Sequence, residues 1–276
     1  MKVMTLNTHS WLETNAYEKL NKIVEKIVTE RYDLIALQEV NQSMDMEILT
    51  RNELKTFCEI KTQTPVRSNN FAYCLVQLLA QKGESYYWSW EMSHIGYEIY
   101  EEGNAILSKK PLVSQVHTVS ETKAKENYRT RKILIGQTKI EDQTIVAASC
   151  HFSWWIDDIS GFAFEWKQLE TYLSNEKYPV FLLGDFNNPA EKSGYDLVAK
   201  SILPIIDAYK RAQEKDNQAT IEKKIDGWEN NTQALRIDYI YVPKDSVVKK
   251  YQRIFDGKTS PIVSDHYGIE VTLTYK

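Results

Sequence analysis

Cysteine is scarce in this chain: the 276 residues include three, Cys58, Cys74 and Cys150. They are odd in number, widely spaced and never arranged as Cys-x-x-Cys, which argues against a disulfide framework and a structural zinc site. Long apolar runs are missing too. None approaches the roughly 18 residues of a membrane span, and polar residues enter the N-terminal Met1-Lys2-Val3-Met4-Thr5-Leu6-Asn7 before a secretory apolar core forms. A reducing, cytoplasmic setting is the expectation. Positive charge is in deficit, with 34 Lys and Arg against 38 Asp and Glu and a net charge of -4. Tracking a nucleic-acid backbone requires several clustered cations. Arg129-Thr130-Arg131-Lys132 is the one dense basic cluster before the scattered C-terminal lysines, and it suits one small anionic ligand.

The remaining composition, 42% hydrophobic and 26% charged, is that of a soluble globular protein and excludes disorder, collagen and coiled coil. At this length about three quarters of the unfolded surface can be buried, so no staple is required. Without repeats, low-complexity tracts or Pro/Gly/Ser-rich linkers, residues 1–276 are expected to form a single domain.

Residues 2–6 alternate like a strand, and residues 17–30 place Leu20, Ile23, Val24, Ile27 and Val28 at helical spacing. The continuous apolar run Leu34-Ile35-Ala36-Leu37 predicts a strand covered on both faces and ending at Gln38-Glu39. Asn69 or Asn70 caps a helix with an apolar stripe at Phe71, Cys74, Leu75, Leu78 and Leu79, closed by Gly83. Residues 85–92, 103–108, 112–119, 132–140 and 144–152 predict strands. A helix over about 162–175 then precedes the buried strand Val180-Phe181-Leu182-Leu183. A short helix near 194–200, a long polar loop to about 233 and strands at 235–242, 247–255 and 267–275 complete the expectation. Many strands flanked by helices imply packed sheets with outer helices, not a helical bundle.

Acidic, amide and histidine residues recur where these apolar strands end, the place where a rigid sheet presents polar groups to a ligand. Glu39 follows Leu37-Gln38, Asp185 and Asn187 follow Leu183-Gly184, and His151 ends Val146-Ala147-Ala148-Ser149-Cys150. Asp238 interrupts Ile237 and Tyr239, and Asp265-His266 precedes the last strand. His9, His94 and His117 fit no such pattern and are assigned surface or core roles.

In order and local sequence, the segments Thr5-Leu6-Asn7, Gln38-Glu39-Val40, Gly103-Asn104-Ala105-Ile106-Leu107-Ser108, Cys150-His151-Phe152, Gly184-Asp185-Phe186-Asn187, Arg236-Ile237-Asp238-Tyr239-Ile240 and Ser264-Asp265-His266-Tyr267 resemble the endonuclease/exonuclease/phosphatase superfamily of metal-dependent phosphoesterases. The ordered set spans nearly the whole chain and is specific although each member is not. The resemblance implies an α/β (α+β) fold, a four-layer αββα sandwich with two central mixed β-sheets and a site at one edge of the pair. It also implies that Asp185 orients or deprotonates the attacking water, and that Asn187 and His151 contact phosphoryl oxygens. His266, held by Asp265, stabilises pentacoordinate phosphorus; Asp185 and His266 both remain candidates for the base. Glu101 or Glu102 falls near a histidine-supporting carboxylate, and Arg131 near a phosphate-contacting arginine.

Carboxylates and an amide without a cysteine or multi-histidine cluster are hard donors that suit Mg²⁺ or Mn²⁺. Glu39 is the expected direct ligand, Asn7 supports the ion directly or through water, and Asp238 or Asp265 completes the shell. Three substrate classes compete. An endo- or exonuclease wants basic groove-following loops, and a secreted sphingomyelinase-like phosphodiesterase wants a signal peptide and an apolar membrane hairpin; neither is present. The aromatics of Phe152-Ser153-Trp154-Trp155 and the segment Asp226-Gly227-Trp228 look similar to the bacterial sugar-phosphate branch, the maltose 6′-phosphate phosphatases. Arg131, Arg129, Trp154, Trp155, Trp228 and Asn104 are accordingly the expected substrate-binding residues for a small sugar phosphate, with no membrane partner. A non-catalytic phosphate-binding module sharing the fold is disfavoured by retention of Glu39, Asp185 and His266.

Overall fold

The computed structural model describes residues 1–155, 159–225 and 227–275. The first half of the chain runs β1 (Lys2–Asn7), a 3-10 turn (Ser10–Leu12), α1 (Ala16–Glu30), β2 (Leu34–Ser43), α2 (Phe71–Gln81), β3 (Tyr87–Gly96), β4 (Tyr100–Ser108), β5 (Val113–Thr118) and β6 (Lys132–Ile140). The second half runs β7 (Gln143–His151), α3 (Phe162–Leu173), β8 (Val180–Asp185), α4 (Ser193–Ala199), β9 (Ile205–Asp207), α5 (Ala208–Arg211), β10 (Glu214–Lys215), β11 (Asp238–Pro243), β12 (Val247–Ile254) and β13 (Gly268–Thr274).

The strands form two mixed sheets. One has the order β10-β12-β13-β1-β2-β4-β3 and the other β5-β6-β7-β8-β11-β9. Between them lies an apolar layer including Val3, Leu34, Ile106, Leu134, Phe181, Ile240 and Val271. Helices α1 and α2 cover the outer face of the first sheet through Leu20, Ile27, Phe71 and Leu75, in one cluster with Trp88 of β3. Helices α3 and α4 cover the second through Trp166, Leu169, Tyr195 and Val198. Each central strand thus buries both faces, so its sequence reads as a near-continuous apolar run. The layers follow the expected four-layer αββα sandwich. Among the described residues, no helix is long and apolar enough to cross a membrane.

Local chemistry sets the boundaries. The Asn70 side chain accepts from the Tyr73 N–H at 3.1 Å and caps α2. Asn69 instead donates to the Ser43 hydroxyl at 2.8 Å and ties that cap to the end of β2. Strand β2 does not stop at Gln38-Glu39 as expected. Its pairing with β4 shifts register between Leu37 and Val40 and continues to Ser43, with Glu39 at φ 51° in the irregularity. Such a bulge re-aims a side chain without ending the strand. The expected long polar loop before residue 233 contains β9, α5, β10 and a bridge between Ile221 and Leu235. Elements of two to four residues hold too few apolar positions to show a period.

Candidate active site

Asp185 is the last residue of β8, and its cross-strand neighbours are His151 on the parallel strand β7 and Asp238 on the antiparallel strand β11. Directly opposed residues share a face of the sheet, so three polar side chains from three strands converge by register alone. Gly184 permits this approach: its φ is +145°, and a Cβ there would lie 2.0 Å from the Cys150 carbonyl oxygen of β7. Immediately after β8 the chain turns left-handed at Asn187 (φ 50°), a conformation asparagine tolerates better than most residues. The facing sheet adds Asn7 from the end of β1 and Glu39 from the β2 bulge.

These groups form one network. Asn7 Nδ2 donates to Glu39 Oε1 at 2.7 Å and to Asp185 Oδ2 at 3.2 Å, joining the two sheets. Asp185 also accepts from the Asn187 backbone N–H at 2.8 Å and from Asn187 Nδ2 at 3.1 Å. His151 Nε2 lies 3.8 Å from both Glu39 Oε1 and Asp185 Oδ2, and His266 Nε2 lies 3.9 Å from Asp185 Oδ2. His266 Nδ1 meets Asp238 Oδ2 at 2.9 Å.

The expected pairing of His266 with Asp265 therefore gives way to Asp238, which arrives from another strand. The chain turns Asp265 the other way, where it accepts from the Ser264 hydroxyl at 3.2 Å and lies 3.9 Å from His9 Nδ1. Asp265 acts on the centre through its charge, which raises the proton affinity of both Glu39 and His266.

The surroundings push two buried histidines in opposite directions. Burial lowers the His266 pKa, but the charges of Asp238 and Asp185 outweigh it and hold the ring well above the ordinary histidine range. His151 is driven well below that range by burial, then by Arg131, His94 and His266. Burial, then the Asp238 charge, raises the Asp185 carboxyl. Burial and Asp265 likewise raise Glu39. The oxygen and nitrogen atoms of Glu39, His151 and Asp185 lie within 4.8 Å of one another, as do those of Asp185, Asp238 and His266. Crowded carboxylates whose charges oppose each other, predominantly oxygen donors, fit a hard divalent cation.

A cavity of about 410 Å³ opens beside this network, bounded at its inner end by Asp185, Asn187, His151, His266 and Arg131. Its outer wall includes Tyr97, Tyr128, Trp154 and Glu229. Arg131 is 2% exposed, with its guanidinium 5.6 Å from the Trp154 ring and 5.5 Å from the Trp155 ring. The Arg129 guanidinium also lies over Trp155, 4.9 Å from its ring.

The other expected substrate residues divide. Trp154 lines the cavity, whereas Trp155 packs behind it in an edge-on contact at 5.2 Å and donates to the Ser160 carbonyl. Trp228 donates its indole N–H to Asn187 Oδ1 at 2.9 Å, so it meets the asparagine and not the cavity. Asn104 donates to the Lys132 carbonyl of the facing sheet at 2.8 Å. Asp226, part of the segment singled out with Trp228, lies outside the described residues. Glu102 lines the cavity with its carboxylate 3.5 Å from His94 Nε2, while Glu101 turns away to Arg67 at 2.7 Å.

Sequence reasoning missed His94 in the cavity wall, where burial and then the Arg131 charge push its pKa down to about 3. Its strand, Tyr87–Gly96, is buried along nearly its full length, so no alternation separates the histidine from core. His9 was also discounted. It pairs with Glu13 at 2.8 Å; burial opposes its charge, but Glu13 and Asp265 prevail and push it up to about 9. His117 stacks on Tyr172 far along β5 and takes no part.

No curated protein sequence matches the chain. Among solved structures, it is similar to an endonuclease/exonuclease/phosphatase family protein from Leptotrichia buccalis C-1013-b, at 31% identity over 100% of both chains with a TM-score of 0.86. It shares its fold with a mannosyl-6-phosphatase from Bacteroides thetaiotaomicron VPI-5482, at 16% identity over 100% of both chains with a TM-score of 0.68. It shares it equally with D. rerio TDP2 complexed with single strand DNA product, at 15% identity over 100% of this chain and 99% of that one, with a TM-score of 0.67. The Endonuclease/Exonuclease/phosphatase family model matches residues 5–266, and the chain belongs to that family, whose members are hydrolases of phosphoesters and generally depend on a divalent metal.

Proposed function

We propose that the protein is a Mg²⁺- or Mn²⁺-dependent phosphomonoesterase that removes the terminal phosphate of a small phosphorylated sugar such as maltose 6′-phosphate. The observation that carries this reading is the 410 Å³ cavity, with imidazoles and Arg131 at its inner end and Tyr97, Tyr128 and Trp154 on its outer wall. Aromatic faces pack on the C–H surfaces of a sugar ring while one phosphate occupies the polar end. A nucleic acid would call for cations along several successive phosphates.

Glu39 would hold the metal, with Asp185 alongside; Asn7, expected to support the ion, turns its NH₂ group to both carboxylates and its Oδ1 to the His9 N–H, so it would orient the ligands and not bind the ion itself, and Asp238 is engaged with His266. A divalent ion bound there would supply Lewis-acid stabilisation of the phosphoryl oxygens. Asp185 is the base that receives a proton from the attacking water: burial and the Asp238 charge raise its proton affinity, and the charge of a bound cation would keep it ionised before the attack. His266, which the Asp238 and Asp185 charges bias toward the imidazolium, donates to a phosphoryl oxygen whose charge grows in the transition state. A bond forms from water oxygen to phosphorus and the bond to the sugar oxygen breaks. The sugar leaves as its alkoxide and takes a proton from solvent at the cavity mouth, and Asp185 returns its proton to solvent. Asn187, through two hydrogen bonds, keeps the Asp185 carboxylate in place.

The test is phosphate release by purified protein with Mg²⁺ from sugar phosphates, nucleotides, plasmid DNA and sphingomyelin. The expected result is highest kcat/KM on a sugar phosphate. Efficient plasmid cleavage with no phosphate release from any sugar phosphate overturns the reading in favour of a nuclease.

A further inference from the structure

Building on the phosphomonoesterase reading, we propose that Glu229 is a specificity-determining residue: its carboxylate accepts from hydroxyls of the sugar and rejects substrates carrying a second phosphate. The residue belongs to the segment 227–235, of which Gly227 and Glu229 line the cavity. Ile221 bridges to Leu235, and a small apolar core of Ile221, Ile225 and Ile237 holds Trp228 and Leu235 against it. Two contacts then seat the loop over the site. Trp228 bonds Asn187, and Gly227, at φ +81°, lies so close to Trp154 that a Cβ there would be 2.8 Å from the indole ring. Only glycine allows the backbone to rest on that aromatic face in this conformation.

Glu229 follows these two anchors and lines the cavity together with Tyr128 and Trp154. One of its oxygens accepts from the Gly227 N–H at 3.0 Å, which fixes the carboxylate relative to the loop. A carboxylate has lone pairs for several donors, so further acceptor capacity remains. The cavity is therefore bipolar. Its inner end sets Arg131 and His266 beside the Glu39 and Asp185 carboxylates, where a bound cation would complete the receptor for one anion; its outer wall pairs Tyr97, Tyr128 and Trp154 with the Glu229 carboxylate, which suits a polyhydroxyl group and opposes a second anion. Hydrogen bonds to a charged acceptor are about twice as strong as neutral ones, and the same charge opposes a phosphate at short range.

The experiment compares kcat/KM for a hexose 6-phosphate, p-nitrophenyl phosphate and a hexose bisphosphate in the wild type, Glu229→Gln and Glu229→Lys. The wild type should favour the hexose 6-phosphate over p-nitrophenyl phosphate. Glu229→Gln should reduce that ratio about tenfold, through KM, and Glu229→Lys should raise relative use of the bisphosphate by at least as much. Ratios that stay at the wild-type value in both variants overturn the proposal. Binding of the hexose 6-phosphate, read by tryptophan fluorescence, separates this idea from the reaction assignment. Turnover absent on every monoester refutes the phosphatase reading alone if saturable binding persists and weakens about tenfold in Glu229→Gln. Equal binding by wild type and Glu229→Gln refutes the role of Glu229.

Discussion

An indole N–H is a donor only, so Trp228 dictates which end of the Asn187 amide faces it. With Oδ1 held by Trp228, the Asn187 NH₂ group is directed to the Phe152 carbonyl at 3.0 Å and to Asp185 at 3.1 Å. A rotated amide would set its oxygen against the carboxylate. Trp228→Phe keeps the ring and deletes the donor, at a cost of about 1 kcal/mol for one hydrogen bond. The expected outcome is a five- to tenfold lower kcat on the best phosphoester, with KM within about twofold and the melting temperature nearly unchanged. This differs from the effect anticipated for a tryptophan stacked on sugar, which raises KM. A variant with raised KM and normal kcat would place Trp228 back against the substrate. The asparagine itself was legible in Gly184-Asp185-Phe186-Asn187, but its partner was not. Trp228 lies 41 residues away in a loop without periodicity.

At the scale of elements, the site depends on how closely β7 and β8 approach. Gly184 alternates with Leu183 and Asp185 in a strand whose apolar run made it easy to recognise, and the sequence places the end of that run at Leu183, just before the glycine. It is instead inside β8, paired with Cys150. Gly184→Ala forces a Cβ onto the Cys150 carbonyl and a side chain into a backbone region that is essentially glycine-only. The expected cost is on the order of 2 kcal/mol or more, a fall in melting temperature of about 5 °C, and loss of most turnover as His151 and Asp185 separate. An unchanged melting temperature would show that the strands tolerate a wider spacing. The same contrast runs through the fold. Buried strands and amphipathic helices such as α1 show their period directly, because one physical face demands apolar residues at fixed intervals. The β2 bulge, β9, α5 and β10 depend on pairing with distant segments, and nothing local marks them. The Asp238–His266 bond is of that second kind: both residues stood out at strand ends, yet the nearer Asp265 was the sequence-based choice of partner.

The whole molecule brings Asn7, Glu39, His151, Asp185, Asp238 and His266 together from the two central sheets and the segment leading into β13, so the charge balance of the centre is a property of the complete sandwich. Asn7 links the Glu39 and Asp185 carboxylates, while Asp265 and Asp238 add negative charge around them. His266 offsets part of this, and the remainder calls for a cation. A ligand that binds the folded chain alone stabilises it by about 2.7 kcal/mol at 100 times its Kd. For a chain of this size that corresponds to a rise in melting temperature of roughly 5 °C or more. Mg²⁺ or Mn²⁺ added to chelator-treated protein should therefore raise the melting temperature saturably, and Glu39→Gln should abolish most of the shift. Exhaustive chelation should also stop phosphoester hydrolysis, and the metal should restore it. Because the melting shift is read without substrate, it tests the cation site independently of any choice among sugar phosphate, nucleotide or DNA. A Glu39→Gln protein with the full wild-type shift would move the cation elsewhere, and undiminished turnover after chelation would remove it from the reaction.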